Sequence, residues 1–147
     1  MDHNGLKYNI ARLFNCVGPG KTNYVLSDLT TKIIAGQHPL EILGDGKSIR
    51  SFIHGKDIGR AIRLMITGKN NECFNVSTNE HTSILELVKK IWSQFYGSAD
   101  SFSYVLKPIS GNDVTNSVAD VSKAEKELGF SAKITIDETI KEILKKY

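Results

Sequence analysis

Apolar residues recur along this chain at spacings that alternate between strand-like and helical, and each spacing marks an element. The run from Lys7 to Phe14 reads as a strand, closed by the punctuated loop Asn15-Cys16-Val17-Gly18-Pro19-Gly20. From Tyr24 to Ala35, Val25, Leu29, Ile33 and Ile34 recur at helical spacing, with Gly36 as the C-terminal cap. Ile42 and Leu43 then precede Gly44-Asp45-Gly46, and an Asp-Gly pair between β-prone runs predicts a tight hairpin whose returning strand begins at Arg50 and continues through Phe52 and Ile53. Lys56 to Met65 predicts a second helix with Ile58, Ala61, Ile62 and Met65 inward and Arg60 and Arg63 solvated. Cys73 to Ser77 is a short strand in which Asn75 interrupts apolar neighbours, so its amide needs a partner from the backbone or a ligand.

The second half continues the alternation. Ser83 to Glu86 has capping-box spacing, and Ile84, Leu87, Val88, Ile91 and Phe95 carry a third helix. Ser101 to Leu106 alternates as a strand, Pro108 to Asn116 reads as a loop, and two more boxes, Ser122 to Glu125 and Thr135 to Glu138, announce two C-terminal helices, the first ended by Gly129. Strands alternating with helices, without repeat, low-complexity tract or linker, predict one α/β domain, and 147 residues at 40% hydrophobic content suffice for its core.

Composition removes several classes of function. A net charge of +3 with scattered lysines gives no support to nucleic-acid binding. No apolar stretch approaches the roughly twenty residues that span a bilayer, and the N-terminus carries no signal-peptide pattern. Cys16 and Cys73 lack metal spacing, which predicts buried structural thiols, no metal site and a reduced, cytoplasmic location.

Candidate chemistry gathers around Arg50. A guanidinium on a rigid strand grips a phosphate or diphosphate through two parallel hydrogen bonds, and the competing reading is a surface arginine in a salt bridge. Asn15 stands where α/β proteins collect ligand-binding residues, at the carboxyl end of a strand, or it bonds its own loop. Trp92 is expected to pack in the core or on the surface rather than stack on a base.

Arg12 to Gly20, Ile42 to His54, Asp57-Ile58, Phe74-Asn75-Val76, Ala119 to Ala124 and Leu128-Gly129-Phe130, taken in order, resemble the extended short-chain dehydrogenase/reductases. Within that group the match is to NAD-dependent nucleotide-sugar epimerases and dehydratases of the UDP-glucose 4-epimerase kind. The resemblance implies a small mixed sheet with about five helices, the C-terminal substrate-binding part of such an enzyme. It implies that Asn15 contacts the phosphates or sugar, that Arg50 binds the diphosphate, that the backbone at Ile42 and Leu43 lies against the base and that Asn75 approaches the nucleotide. Leu13 and Phe14 would pass near the nicotinamide of NAD.

Family members also carry a Gly-x-x-Gly-x-x-Gly turn and a tyrosine with a lysine four positions later. Neither occurs here: Tyr8, Tyr24, Tyr96 and Tyr104 are followed at that distance by Arg12, Asp28, Asp100 and Pro108, and Tyr147 is the last residue. The resemblance therefore implies no catalytic residue in these residues, an NAD-binding domain absent from them, and no tight NAD binding by this chain alone. Ser110 stands where many members have a second arginine, and Ser51 and Lys56 replace common acidic residues. Three readings follow. The chain is the substrate-binding portion of an epimerase or dehydratase, inactive alone; or a free-standing nucleotide-sugar-binding module, or one completed by an NAD-binding chain; or an interaction fragment. An apolar face around Ile10, Leu13 and Phe14 is expected to be exposed and to self-associate or bind a partner.

Overall fold

A computed structural model describes residues 5–109 and 116–147. Its first half contains β1 (Asn9–Leu13), β2 (Cys16–Val17), α1 (Val25–Ile34), β3 (Leu40–Leu43), β4 (Ile49–Arg50), β5 (Ile53–His54) and α2 (Gly55–Thr67). The second half contains β6 (Glu72–Val76), β7 (Thr82–Ser83), α3 (Ile84–Tyr96), β8 (Tyr104–Lys107), β9 (Asn116–Ser117), α4 (Ser122–Leu128) and α5 (Ile136–Leu144). The α/β class and the five helices agree with the sequence expectation. The strands, however, divide among small separate sheets: β1 with β6, β2 with β5 and β3 with β8, all parallel, and a mixed sheet in which β4 lies antiparallel to β7 and parallel to β9.

The expected hairpin does not form. Gly44 and Gly46 adopt φ of 80° and 72°, which only glycine does without strain, and Lys47 N–H donates to Asp45 Oδ1 at 2.8 Å, so the turn itself is real. Its two arms go to different partners. Leu40 to Leu43 register against Tyr104 to Lys107, whereas Ile49 and Arg50 face Ser83 and Thr82 on one side and Asn116 and Ser117 on the other. The carbonyls of Gly46 and Ser48 accept from the N–H groups of Leu85 (2.9 Å) and Ile84 (3.1 Å), which draws the returning chain onto the start of α3 instead of back onto β3.

α3 shows how the local signal becomes packing. Ser83 Oγ accepts from Glu86 N–H at 3.2 Å while Glu86 Oε2 accepts from Ser83 N–H at 2.8 Å, and Gly97 closes the helix in the left-handed conformation. The inward stripe then joins a core with Ile33 of α1, Ile42 of β3, Leu87 and Ile91 of α3 and Ile140 of α5. Each such side chain contributes about 1.5–3 kcal/mol by leaving water. Trp92, 4% exposed, packs there against Tyr96 and Phe102 as expected, while Phe95 turns outward. In α1, Leu26 and Thr30 join Leu29 and Ile33 on the buried face, and Val25 and Ile34 are only half-buried.

A second core packs Ile58, Ala61 and Met65 of α2 against Phe74 and Val76 of β6 and Phe130 beyond α4. Ile62, expected inward, is 41% exposed, and its place on the inner stripe is taken by Asp57, which is 0% exposed. Asp57 Oδ2 accepts from the N–H groups of Lys133 and Ile134, both at 2.9 Å, and Oδ1 accepts from Arg60 Nε at 3.0 Å and from Nη2. Arg60, expected in solvent, is thus a half-buried clamp, and its Nη2 also reaches Ser131 O at 3.0 Å. Burial pushes the Asp57 carboxyl up, but the Ile134 N–H, Arg60 and the Lys133 N–H together hold it below the ordinary aspartate value.

Two further expectations change. The box at Ser122 does not form, because Val121 is the cap residue of α4 and the Ser122 N–H is taken by Asp120 Oδ1 at 2.9 Å; Gly129 ends α4 as expected, with φ 61°. Cys16 and Cys73 are free thiols, half-buried rather than buried. Ser110 lies outside the described residues.

Candidate functional site

A cleft of about 840 Å³ opens between the turn after β2, α1, the end of β3, β4 and the C-terminal residues. Its volume lies within the roughly 300–1,000 Å³ of small-molecule sites. Gly18 and Gly20, at φ 146° and 91°, bend the chain out of β2, and a side chain on Gly18 would meet His54 Nε2 at 3.2 Å, so that turn also requires glycine for packing. His54 itself caps α2, its Nδ1 accepting from Lys56 N–H at 3.1 Å. Asn23, in the left-handed region at φ 55°, then turns the chain into α1.

Three of the residues singled out from sequence line this cleft: Ile42, buried beneath it, Leu43, half-exposed beside it, and Arg50. Arg50 is carried on the central strand of the mixed sheet, held between Thr82 and Ser117. Lys21 and Lys146 share the lining, and its two carboxylates are already engaged, Asp28 with Lys32 at 2.9 Å and Glu41 with Lys107 at 3.3 Å. The net character is cationic with an apolar side, which suits an anion attached to an apolar or aromatic group.

Asn15 sits behind this wall. Its Nδ2 donates to Ser51 O at 3.0 Å and Ser117 O at 3.4 Å, and its Oδ1 accepts from the Tyr24 hydroxyl, so a lining residue separates it from the cleft. Asn75 lies elsewhere, opposite Arg12 near the carboxyl end of β6, with Nδ2 donating to Asp120 O at 2.8 Å. Leu13 and Phe14 are at the same end of that parallel pair, Phe14 N–H donating to Val76 O at 3.3 Å. The structure therefore separates the sequence candidates into a cleft group, Asn15 behind its wall, and a group at the end of the β1–β6 pair.

Tyr24, Lys21 and Lys146 were not singled out by their sequence positions. For Tyr24 a signal existed: it occupies the N-cap position of α1, where Ser, Thr, Asp or Asn is favoured. Burial pushes its phenol above the ordinary value, with the nearby Arg50 guanidinium drawing it partly back.

Among the described residues no cluster of three His, Cys, Asp or Glu side chains is arranged to hold a metal ion, and no helix is long and apolar enough to cross a membrane. Among the described residues the one glycine turn that follows a strand at the cleft does not match a pyrophosphate cradle. The Gly18-Pro19-Gly20 turn borders the cleft and packs on His54, and no third glycine follows at the spacing a pyrophosphate cradle needs.

The geometry is that of an α/β domain with a cationic cleft beside parallel strands, and similarity to known proteins gives its class, an extended short-chain dehydrogenase/reductase. The chain belongs to the family described as GDP-mannose 4,6 dehydratase, whose model matches residues 1–143. A putative UDP-glucose 4-epimerase of Methanocaldococcus jannaschii is 33% identical over 146 residues, covering 95% of this chain and 45% of the relative. The crystal structure of the Thermotoga maritima UDP-glucose 4-epimerase with UDP-glucose superposes with a TM-score of 0.83 at 30% identity, over 96% of this chain and 46% of that one. The Bordetella bronchiseptica enzyme WbmG, solved with NAD and UDP, gives a TM-score of 0.76 at 25% identity over 95% and 43%. The chain thus spans less than half the length of these relatives, and NAD is a cofactor of the family.

Proposed function

We propose that this chain is the nucleotide-sugar-binding portion of an NAD-dependent epimerase or dehydratase, forming one substrate-binding domain over 1–147 without turnover of its own. The observation that carries the reading is the cleft whose lining brings Arg50, fixed on the central strand of the mixed sheet, together with the apolar Ile42 and Leu43. Arg50 grips the diphosphate through its planar fork, Lys21 and Lys146 add positive charge at the rim, and Leu43 offers apolar surface to the base. Bound NAD supplies hydride exchange in the family. These residues contain no Tyr-x-x-x-Lys pair to move a proton, so the part assigned to them is binding and orientation of the substrate. Two free thiols are in keeping with a reduced, cytoplasmic location.

A second reading, a module completed by an NAD-binding chain or by self-association, is favoured by the apolar side chains left exposed on β1, Ile10 at 50% and Leu13 at 51%. It is compatible with the first, since a substrate-binding portion needs cover on that strand.

The test is a thermal-shift and calorimetric titration of the purified chain with UDP-, dTDP-, GDP- and CDP-sugars, and with NAD separately. Stabilisation by one nucleotide-sugar and not by NAD is expected. Absence of any shift with all four sugar classes would overturn binding by this chain alone.

A further inference from the structure

Asn15 and Tyr24 divide their work in a way that the position of Asn15 alone does not suggest. The amide of Asn15 is spent within the protein, on the carbonyls of Ser51 at 3.0 Å and Ser117 at 3.4 Å, while its Oδ1 receives the Tyr24 hydroxyl. Its backbone carbonyl accepts from Ile53 N–H at 3.1 Å. Tyr24, by contrast, lines the cleft together with Arg50 and Lys21, and the Lys21 ammonium lies 5.7 Å from the centre of its ring.

The local chain makes an awkward arrangement to put Tyr24 there. At the N-cap of α1 a tyrosine supplies no capping oxygen, and Ser27 serves instead, its hydroxyl accepting from Tyr24 N–H at 3.1 Å and donating to Tyr24 O at 2.8 Å. The preceding Asn23 adopts a left-handed φ of 55°. A tyrosine at an N-cap, reached through a left-handed Asn23 and with its phenol then fixed to a second segment, marks a side chain held for the cleft.

The phenol proton is committed to Asn15, so the phenolic oxygen can offer a ligand only its lone pairs. The doubly esterified diphosphate of a nucleotide-sugar has no proton to give at neutral pH, whereas a sugar hydroxyl has. We propose that Tyr24 is a specificity-determining residue that accepts a hydrogen bond from a sugar hydroxyl of the ligand next to the diphosphate held by Arg50, and that Asn15 is a positioning residue acting through Tyr24. This rests on the nucleotide-sugar reading.

The experiment is isothermal calorimetry of the chain, of Tyr24→Phe, of Asn15→Ala and of the double variant, with UDP-glucose and with inorganic pyrophosphate. Tyr24→Phe is expected to weaken UDP-glucose about tenfold, the loss of one hydrogen bond, and to leave pyrophosphate unchanged. Asn15→Ala is expected to weaken UDP-glucose comparably, with no further loss in the double variant. Unchanged UDP-glucose affinity in Tyr24→Phe, an equal loss of pyrophosphate, or effects that multiply in the double variant overturn the assignment. Tyr24→Phe keeps the ring, so it carries the test if Asn15→Ala fails to fold.

A ligand-free readout separates this inference from the reading beneath it. The ultraviolet titration of the tyrosine that vanishes in Tyr24→Phe should move to lower pH in Asn15→Ala, because the bond to Asn15 favours the neutral phenol. An unmoved titration overturns the Asn15–Tyr24 link even where UDP-glucose binds. A moved titration with no binding of UDP-glucose supports the link and overturns the nucleotide reading for that ligand.

Discussion

Replacing Asp57 by alanine is expected to remove much of this domain's stability. The carboxylate is 0% exposed and is the acceptor for the N–H groups of Lys133 and Ile134, both at 2.9 Å, which lead the chain toward α5. Deleting it strands two backbone donors, each at a cost of about 1–3 kcal/mol. The Arg60 contribution is discounted, because Arg60 is 33% exposed and water can take its N–H groups for a loss of about 0–1 kcal/mol. Relief of the buried charge offsets part of the total, leaving about 3–4 kcal/mol, within the roughly 3–5 kcal/mol seen when a buried pair loses one member.

Against a total stability on the order of 5–15 kcal/mol, this is a large share. Urea unfolding followed by Trp92 fluorescence should lose about 2 M of midpoint at a slope of about 2 kcal/mol per M. The pH dependence follows from the same contacts. Folded Asp57 titrates below its unfolded value, so its stabilisation is complete above about pH 4 and is lost as the pH falls through the folded pKa. The difference between wild type and Asp57→Ala should be flat from about pH 6 to 8 and shrink in acid. A midpoint loss under about 0.5 M, or a difference that grows in acid, would refute the reasoning.

Arg50→Ala is expected to weaken nucleoside-diphosphate binding by about 2 kcal/mol or more, roughly thirtyfold, in a calorimetric titration, and unchanged affinity would remove Arg50 from the site. Ser83→Ala breaks the capping box of α3 and should cost about 1 kcal/mol in urea unfolding; an unshifted midpoint would show that the box is redundant there. Sedimentation should find self-association of the wild-type chain and less of it when Ile10 and Leu13 are both changed to serine. A clean wild-type monomer at high concentration would exclude that surface as a self-contact.

Which parts were legible in the sequence follows from the range of the forces involved. The helical stripe of α3, the boxes at Ser83 and Thr135 and the left-handed ends at Gly36 and Gly129 are set within a few residues, and all form. The same local spacing failed at Ser122, because Asp120, two residues earlier, captures the amide. Gly44 and Gly46 determined that the chain turns, but strand pairing is decided by distant segments, and β3 found β8 while β4 found β7 and β9. Ile62 and Asp57 exchanged their expected environments because only the folded chain brings Arg60 and the 133–134 amides to a carboxylate.

The candidate site divides along the same line. The sequence by itself determined the α/β class, the family and the company of Ile42, Leu43 and Arg50, since these lie close together in one motif. Only the tertiary structure decided that Lys21 and Lys146, at opposite ends of the chain, share one lining, and that Asn15 reaches the cleft through Tyr24. Periodicity and capping act over a few residues, whereas a cleft is closed by segments whose meeting depends on the whole core.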